Sequence, residues 1–348
     1  MNKEFLSKLL HTTSISGYED EAVSLFINHA KKNGAKTHVD ALNNAYAIFG
    51  PDEAHISIIV EAHIDEIGFQ ITYIDDNGYI YIRKNGGIDE SCIPGSVVQV
   101  ILMDGKKLLG VIGKKPIHLQ SKEERNSITK LDCLWIDTGL KAEIVKSMVR
   151  IGDPVGFSPN FIELGESRIS SKALDDKVGI FILTECMERL KDVPFSSKII
   201  FLASSQEEVG LRGAKASSLD FKSDYAICID VDFSTDVPDC SVKKYGEIQL
   251  GKGVVISKHL DSSRKLSSLA ENIAIKNNIE YQLSAHIVAT GGTNASVFQT
   301  ANTNTKTLCI GIPCRYMHTP VELVDLKDID SAVSLIIKLI ESLCQIEN

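Results

Sequence analysis

The texture of hydrophobic and polar positions changes along the chain, and the changes mark out its elements. Near the N-terminus Leu6, Leu9 and Leu10 recur at helical spacing, and Val23, Phe26 and Ile27 repeat it, so residues 3 to 33 read as helical. Ser16 followed by Glu19 has the pattern of a capping box opening the second helix. Ala45 to Phe49 and Ile56 to Val60 then read as strands. The second, ISIIV, is apolar throughout apart from Ser57, as a strand covered on both faces is.

From about residue 68 to 161 the helical signals thin out. ITYIDDNGYIYI alternates around Asn77-Gly78, a favoured tight turn, and predicts a hairpin. SVVQVILMDGKKLLGVIG predicts another strand pair turning near Asp104-Gly105, CLWID one more strand, and Lys141 to Met148 a short helix. After residue 161 Asp176 to Leu190 regains helical periodicity. Lys198 to Ala203, Tyr225 to Ile229 and Thr307 to Ile310 are short apolar strands, and helices fit Ser262 to Lys276 and Ile329 to Cys344. Strands alternating with helices imply an α/β fold, a parallel or mixed sheet covered on both faces. The expected division is a discontinuous catalytic domain, 1–67 and 162–348, carrying an inserted β-rich domain over 68–161.

Composition narrows the function classes. With 348 residues the chain is long enough for its core to split, and 43% hydrophobic with 24% charged residues fits a soluble globular protein. A net charge of −9 argues against non-specific nucleic-acid binding, which needs a basic face. No apolar run approaches the roughly 20 residues of a membrane span. Lys3, Glu4 and Lys8 interrupt the N-terminal apolar positions, so MNKEFLSKLLHTTS does not read as a signal peptide. The eight cysteines form no C-x-x-C pair, and several lie in apolar stretches such as AICID and TLCIG. Buried, reduced thiols and a cytoplasmic location are the expectation.

The candidate chemistry falls at the ends of the apolar strands. His63 and Asp65 follow ISIIV, Glu207 and Glu208 follow KIIFLA, Asp230 follows YAICI, and His318 follows TLCI after a loop. Asp175 and Asp176 sit just before a helix. Each alone reads more readily as a surface turn, a solvated loop residue or a helix cap than as a ligand. Together they fall at the strand ends where open α/β sheets build ligand sites. Two divalent ions roughly 3.5–4 Å apart polarise a carbonyl and activate a water, and one carboxylate must bridge them. Asp175 suits that bridge. Histidine mixed with carboxylate favours Zn²⁺ or Co²⁺ over Ca²⁺ or Mg²⁺. Asp65 is placed to orient the His63 imidazole. Of Glu207 and Glu208, one can ligate while the other serves as general base.

The segments EAHIDEIGF, SKALDDKVGI, SSQEEVGLRGA, AICIDVD, TGGTNAS and GIPCRYMHTPVE resemble those of the tetrahedral aminopeptidases, metallopeptidase family forty-two. That family includes glutamyl aminopeptidases and members bearing the name endoglucanase. The resemblance runs from SISGYEDE to beyond the His318 loop. It implies that His63 and Asp230 bind one metal, Glu208 and His318 the other, and that Asp175 bridges them. Glu207 is then the general base, Asp65 the partner of His63, and Gly292, Thr293 and Asn294 lie at the substrate site. It also implies a phosphorylase/hydrolase-like mixed-sheet domain with a β-barrel or PDZ-like insertion, short peptide substrates, and a homo-oligomeric tetrahedral dodecamer. GVIGKKPIHLQSKEER resembles the family's flexible loop, so His118 to Asn126 is expected to reach a neighbouring active site.

There are departures from the family pattern. Thr290-Gly291-Gly292-Thr293-Asn294 stands where the family has G-G-G-T-D, and DFSTDVPDC after Asp230 is atypical. Asn294 in place of Asp suggests weaker capture of the substrate amine, set against a plain helix-capping role. A carboxypeptidase or deacylase uses a similar metal pair. A glycosidase needs two carboxyl groups across a sugar ring and not two histidines. A non-enzymatic relative would have lost a ligand, and none is missing.

Overall fold

The chain opens with two amphipathic helices, α1 (Lys3–His11) and α2 (Asp20–Lys32), which bury Leu6, Leu9, Leu10 and Val23, Phe26, Ile27 as their spacing predicts. These and all following elements come from a computed structural model that describes residues 1–285, 292–301 and 304–345. Next come β1 (Lys36–Val39), β2 (Ala45–Phe49) and β3 (Ser57–His63). Six strands follow: β4 (Gly68–Ile74), β5 (Ile80–Asn85), β6 (Val97–Ile101), β7 (Lys107–Gly113), β8 (Trp135–Asp137) and β9 (Pro154–Phe157). Between β7 and β9 lie the short helices α3 (Lys122–Arg125) and α4 (Ala142–Met148). The chain then makes β10 (Ile162–Leu164), β11 (Arg168–Ser171), α5 (Leu174–Leu190), β12 (Lys198–Ser204), α6 (Arg212–Asp220) and β13 (Tyr225–Phe233). It continues with α7 (Val242–Tyr245), β14 (Val254–Ser257), α8 (Arg264–Lys276), β15 (Tyr281–Ser284) and α9 (Asn294–Ala301). It ends with β16 (Lys306–Cys314), β17 (Glu322–Asp325) and α10 (Leu326–Cys344).

The main sheet has eight strands in the order β1-β2-β12-β3-β13-β16-β14-β15. Its centre, β12-β3-β13-β16, is parallel, while β2 and β14 join antiparallel. The central strands are apolar on both faces because both are covered. On one face α5, α8 and α10 pack a large core with Phe181, Leu183, Ile336 and Leu339. On the other, α6 and α9 cover Ile59, Ile200 and Ala226. The fold is therefore α/β with a mixed sheet, as the alternation predicts.

The β-rich stretch closes on itself. Its six strands form a barrel in the order β4-β5-β8-β7-β6-β9, filled by Phe69, Ile82, Val98, Ile112 and Phe157. Closure removes the exposed edges an open sheet would leave. The Asn77-Gly78 and Asp104-Gly105 turns both fall where the alternation places them, with Gly78 and Gly105 in the left-handed region at φ 90° and 79°. A third sheet has the order β10-β11-β17, with both pairings antiparallel.

Two local expectations change. Ser16 does not cap α2; its hydroxyl donates to Asp65 Oδ2 at 2.6 Å, a bond to a buried carboxylate that a helix N–H cannot match. Helix α10 begins at Leu326, ahead of Ile329, because the Asp325 carboxylate caps it by accepting the Lys327 N–H at 3.0 Å.

Candidate metal centre

The parallel strands deliver their C-terminal ends to one edge of the sheet, and the acidic and imidazole groups collect there. His63 is the last residue of β3, Asp230 lies in β13, and Glu207 and Glu208 follow β12. Asp175 and Asp176 sit at the kinked start of α5 with non-helical backbone angles. Asp176 Oδ1 accepts the Gly179 N–H at 3.0 Å and so caps the regular part of that helix. A Cβ on Gly179 would come within 2.3 Å of Asp176 Oδ2, so only glycine allows this approach.

Asp175 stands between the two histidines. Its Oδ1 is 2.9 Å from His63 Nε2 and its Oδ2 is 3.4 Å from His318 Nε2. His318 Nε2 also lies 3.9 Å from Glu208 Oε2, and His63 Nε2 lies 3.9 Å from Asp230 Oδ1. Donor atoms of His63, Asp175 and Glu208 lie within 4.8 Å of one another, and so do those of His63, Asp176 and Asp230. The structure thus brings together all five residues singled out as ligands. It adds Asp176, whose Oδ2 is buried without a hydrogen-bond partner.

Carboxylates that are not candidate ligands hold this arrangement. Asp65 is fully buried; its oxygens accept the Glu207 N–H at 2.9 Å, the Glu208 N–H at 3.2 Å and the Ser16 hydroxyl. His63 Nδ1 donates to the Asp65 carbonyl oxygen at 3.1 Å and lies 3.5 Å from Oδ1, so Asp65 orients the imidazole through backbone and side chain together. Glu322, buried at the start of β17, accepts the Asp175 N–H and the His318 N–H, each at 3.0 Å. The latter bond supports His318 at φ 62°, a left-handed conformation that non-glycine residues rarely adopt. Sequence reasoning missed Glu322. It lies within GIPCRYMHTPVE, but a glutamate after a Pro-Val loop reads as solvated. From the barrel side, Gly87 lies against the His318 ring, where a Cβ would meet Nδ1 at 3.0 Å.

The electrostatics follow from crowding buried acids. Burial, with Asp175 beside them, pushes Glu208 well above the usual carboxylate range and Asp230 up to about 7. Burial and the carboxylates of Asp230, Asp65 and Asp175 do the same to Glu207, against the pull of His63. Burial opposes ionisation of Asp175 as well, but its bonds to His318 and His63 hold it below its ordinary value. His318 is raised by the same bond to Asp175. Burial opposes the charge on His63, yet Asp175 and Asp65 keep its pKa well above the ordinary value.

This set fits divalent cations. Imidazole and carboxylate donors converge, no Lys or Arg lines the described cavity, and buried oxygens such as Asp176 Oδ2 lack partners. The cavity above them has a volume of about 460 Å³. Its wall continues along Asp232, Phe233, Ser257, His259, Asp261 and Ser284, and includes Gly292 and Thr293. Asn294 is buried outside that wall, donating from Nδ2 to Glu61 Oε1 at 2.7 Å and to Ser204 Oγ at 3.1 Å. Thr290 and Gly291 of the same motif lie outside the described residues.

Residues 43–335 match the M42 glutamyl aminopeptidase family. The chain is 31% identical to a lysyl aminopeptidase of Pyrococcus furiosus, over 98% of this chain and 97% of that protein. Among solved structures it resembles an aminopeptidase from the archaeon Desulfurococcus kamchatkensis, with TM-score 0.90, 32% identity, and 99% and 97% of the two chains covered. It also resembles a Pyrococcus horikoshii TET1 peptidase that assembles into a tetrahedron or a large octahedral shell. There the TM-score is 0.86 and the identity 36%, covering 97% and 98% of the two chains.

Proposed function

The chain belongs to the M42 glutamyl aminopeptidase family and is a metal-dependent aminopeptidase; we propose that it works with two divalent ions on the N-terminal residue of short peptides. His63 and Asp230 would hold one ion, Glu208 and His318 the other, and Asp175 would bridge them. The observation that carries this reading is the Asp175 carboxylate, whose two oxygens face two different histidines at 2.9 and 3.4 Å. Zn²⁺ or Co²⁺ suits the mixed donors. Ions held there supply Lewis acidity toward the scissile carbonyl and make water a better nucleophile.

The remaining chemistry is the protein's own. Glu207 lines the cavity beside the proposed ligands and is the general base: it takes the proton of the attacking water and hands it to the leaving amine. Burial and the neighbouring carboxylates raise its proton affinity, which favours a group that takes up a proton. Asp65 fixes the backbone of Glu207 and Glu208, so base and ligand keep their separate directions. Gly292 and Thr293 form part of the wall against which the substrate lies. The described wall carries Asp232 and Asp261 and neither Lys nor Arg, which favours a basic or neutral first side chain over an acidic one. Paired histidines around one carboxylate do not favour a glycosidase.

The barrel and its loops, over residues 68–161, are proposed as an inserted unit for subunit contact. Val97, Leu109 and Val111 are exposed on neighbouring β6 and β7, with Val97 directly opposite Val111. The 114–130 connection is largely exposed too, including Ile117, Leu119 and Ile128. A homo-oligomer follows, of tetrahedral form if it resembles the Pyrococcus horikoshii peptidase. A cytoplasmic location is proposed from the eight free thiols.

The test is chelation followed by reconstitution with Zn²⁺, Co²⁺ or Mn²⁺, read on aminoacyl chromogenic substrates. Activity that vanishes and returns at two ions per chain supports the reading. Full activity in metal-free protein overturns it.

A further inference from the structure

Beneath the cavity the ligand-bearing loops are joined by a buried ion cluster that the chemistry above does not use. Glu66 directly follows Asp65 and is 1% exposed. Its Oε2 accepts from Lys172 Nζ at 2.6 Å and its Oε1 from Lys177 Nζ at 2.9 Å. Both ammonium groups also donate to the Thr12 carbonyl oxygen, at 2.9 and 3.0 Å. The Ser14 N–H donates to Glu66 Oε1 at 2.8 Å, and the Glu66 N–H donates to the Ser14 carbonyl oxygen at 2.9 Å. Lys172 is 1% exposed and Lys177 is fully buried.

The placement of these residues is informative. Lys172 and Lys177 bracket Asp175 and Asp176 in the chain, and both close on one carboxylate. That carboxylate belongs to the residue after Asp65, which holds the Glu207 and Glu208 backbone. Residues 12–16 supply the third side, ending in the Ser16 bond to Asp65. We propose that Glu66, Lys172 and Lys177 are positioning residues, which fix the Asp175–Asp176 turn against the His63–Asp65 loop and so set the affinity of the centre for divalent cations. The proposal rests on the metal reading above.

Stability alone is a poor reason for such a cluster. Taking three charges out of water is costly, and apolar replacement of a buried ion triad is often neutral or stabilising. What an apolar core does not supply is direction. Two ammoniums on opposite oxygens of one carboxylate define where both ends of the Asp175–Asp176 turn must lie, and the shared Thr12 oxygen defines it again. Greasy side chains of the same volume would let that turn shift by the fraction of an ångström that matters to a ligand set.

The experiment compares wild type, Lys177→Met, and the apolar triple Glu66→Leu/Lys172→Met/Lys177→Met. Lys177→Met keeps an unbranched, flexible side chain without the ammonium and leaves Glu66 with one ammonium, the mildest cut available. Each full-length protein is stripped of metal, its Tm is measured, and its Co²⁺ affinity is read by chelator competition together with the visible absorption of bound Co²⁺. Lys177→Met is expected to bind Co²⁺ on the order of 10-fold more weakly, the scale of lost outer hydrogen bonds, with an altered absorption band. The triple is expected to regain Tm without regaining affinity. Wild-type affinity and spectrum in Lys177→Met overturn the proposal, as does a triple variant in which Tm and affinity recover together. Wild-type protein that takes up no Co²⁺ overturns the metal reading itself, a different failure.

Discussion

Replacing Asp65 by Asn removes a charge without changing shape, and the structure allows its cost to be worked out. Asp65 Oδ1 accepts the Glu207 N–H at 2.9 Å, and Oδ2 accepts the Ser16 hydroxyl at 2.6 Å and the Glu208 N–H at 3.2 Å. An amide keeps only one acceptor oxygen. In either orientation one backbone N–H, of Glu207 or Glu208, faces an NH₂ group. One charge-assisted bond worth about 1.5–3 kcal/mol is lost, and a buried donor is left without a partner at about 1–3 kcal/mol. The expected loss is about 2.5–6 kcal/mol, and at roughly 2 °C per kcal/mol the Tm falls by roughly 5–12 °C. The Glu207–Glu208 turn is also released, so kcat falls and metal dissociates more readily in the same variant. Calorimetry, metal content by mass spectrometry after dialysis, and kcat on an aminoacyl chromogenic substrate measure the three effects. Asp65→Asn with wild-type Tm and full metal content would refute the claim that this carboxylate organises the centre.

The neighbouring glutamates are expected to separate: Glu207→Gln lowers kcat by about 10²–10⁴-fold with metal content intact, the contribution of a general base. Glu208→Gln instead lowers metal content, and the reverse pattern in a metal assay would exchange their roles. Asn294→Asp is expected to leave KM unchanged, because Asn294 lies off the cavity wall and bonds Glu61. It faces one buried carboxyl with another, so Tm drops more at pH 8 than at pH 5; a lower KM with unchanged Tm would restore an amine-binding role. The metal-free protein is expected to lose stability as pH rises. Asp230, with a folded pKa of about 7 against about 4 unfolded, contributes fully below pH about 4 and loses that contribution as pH rises through about 7. Divalent ions displace the same protons, so affinity rises through that window and binding releases protons, which calorimetry in buffers of different ionisation enthalpy measures.

How much of this was legible beforehand follows from where the information sits. His63, Asp230, Glu207 and Glu208 end or follow apolar runs, and a run covered on both faces announces a central strand. The edge that gathers these residues could therefore be read one strand at a time. Five of the six barrel strands were legible from alternation and turns; β9 was not, and closure depends on its pairing with β4, far apart in sequence. Asp65, two residues from His63, was legible as a supporting group, but the distant ones were not. Glu322 reaches Asp175, and Glu66 reaches Lys172 and Lys177, across more than 100 residues. Nothing in local periodicity marks a charged residue that will be buried by a partner so distant. Asn294 shows the opposite error: a position beside the cavity in sequence is not on its wall, because α9 turns that side chain under the sheet toward Glu61.

The most direct test of the central claim compares three versions of one tripeptide: free at both ends, acetylated at the N-terminus, and amidated at the C-terminus. Each is incubated with the Co²⁺- or Zn²⁺-loaded protein and its products are read by mass spectrometry. A metal-dependent aminopeptidase releases the first residue from the free and amidated peptides and leaves the acetylated one intact, and chelation stops both cleavages. Loss of the last residue from a peptide that still carries its first, or release of acetate from the blocked peptide, would contradict the account.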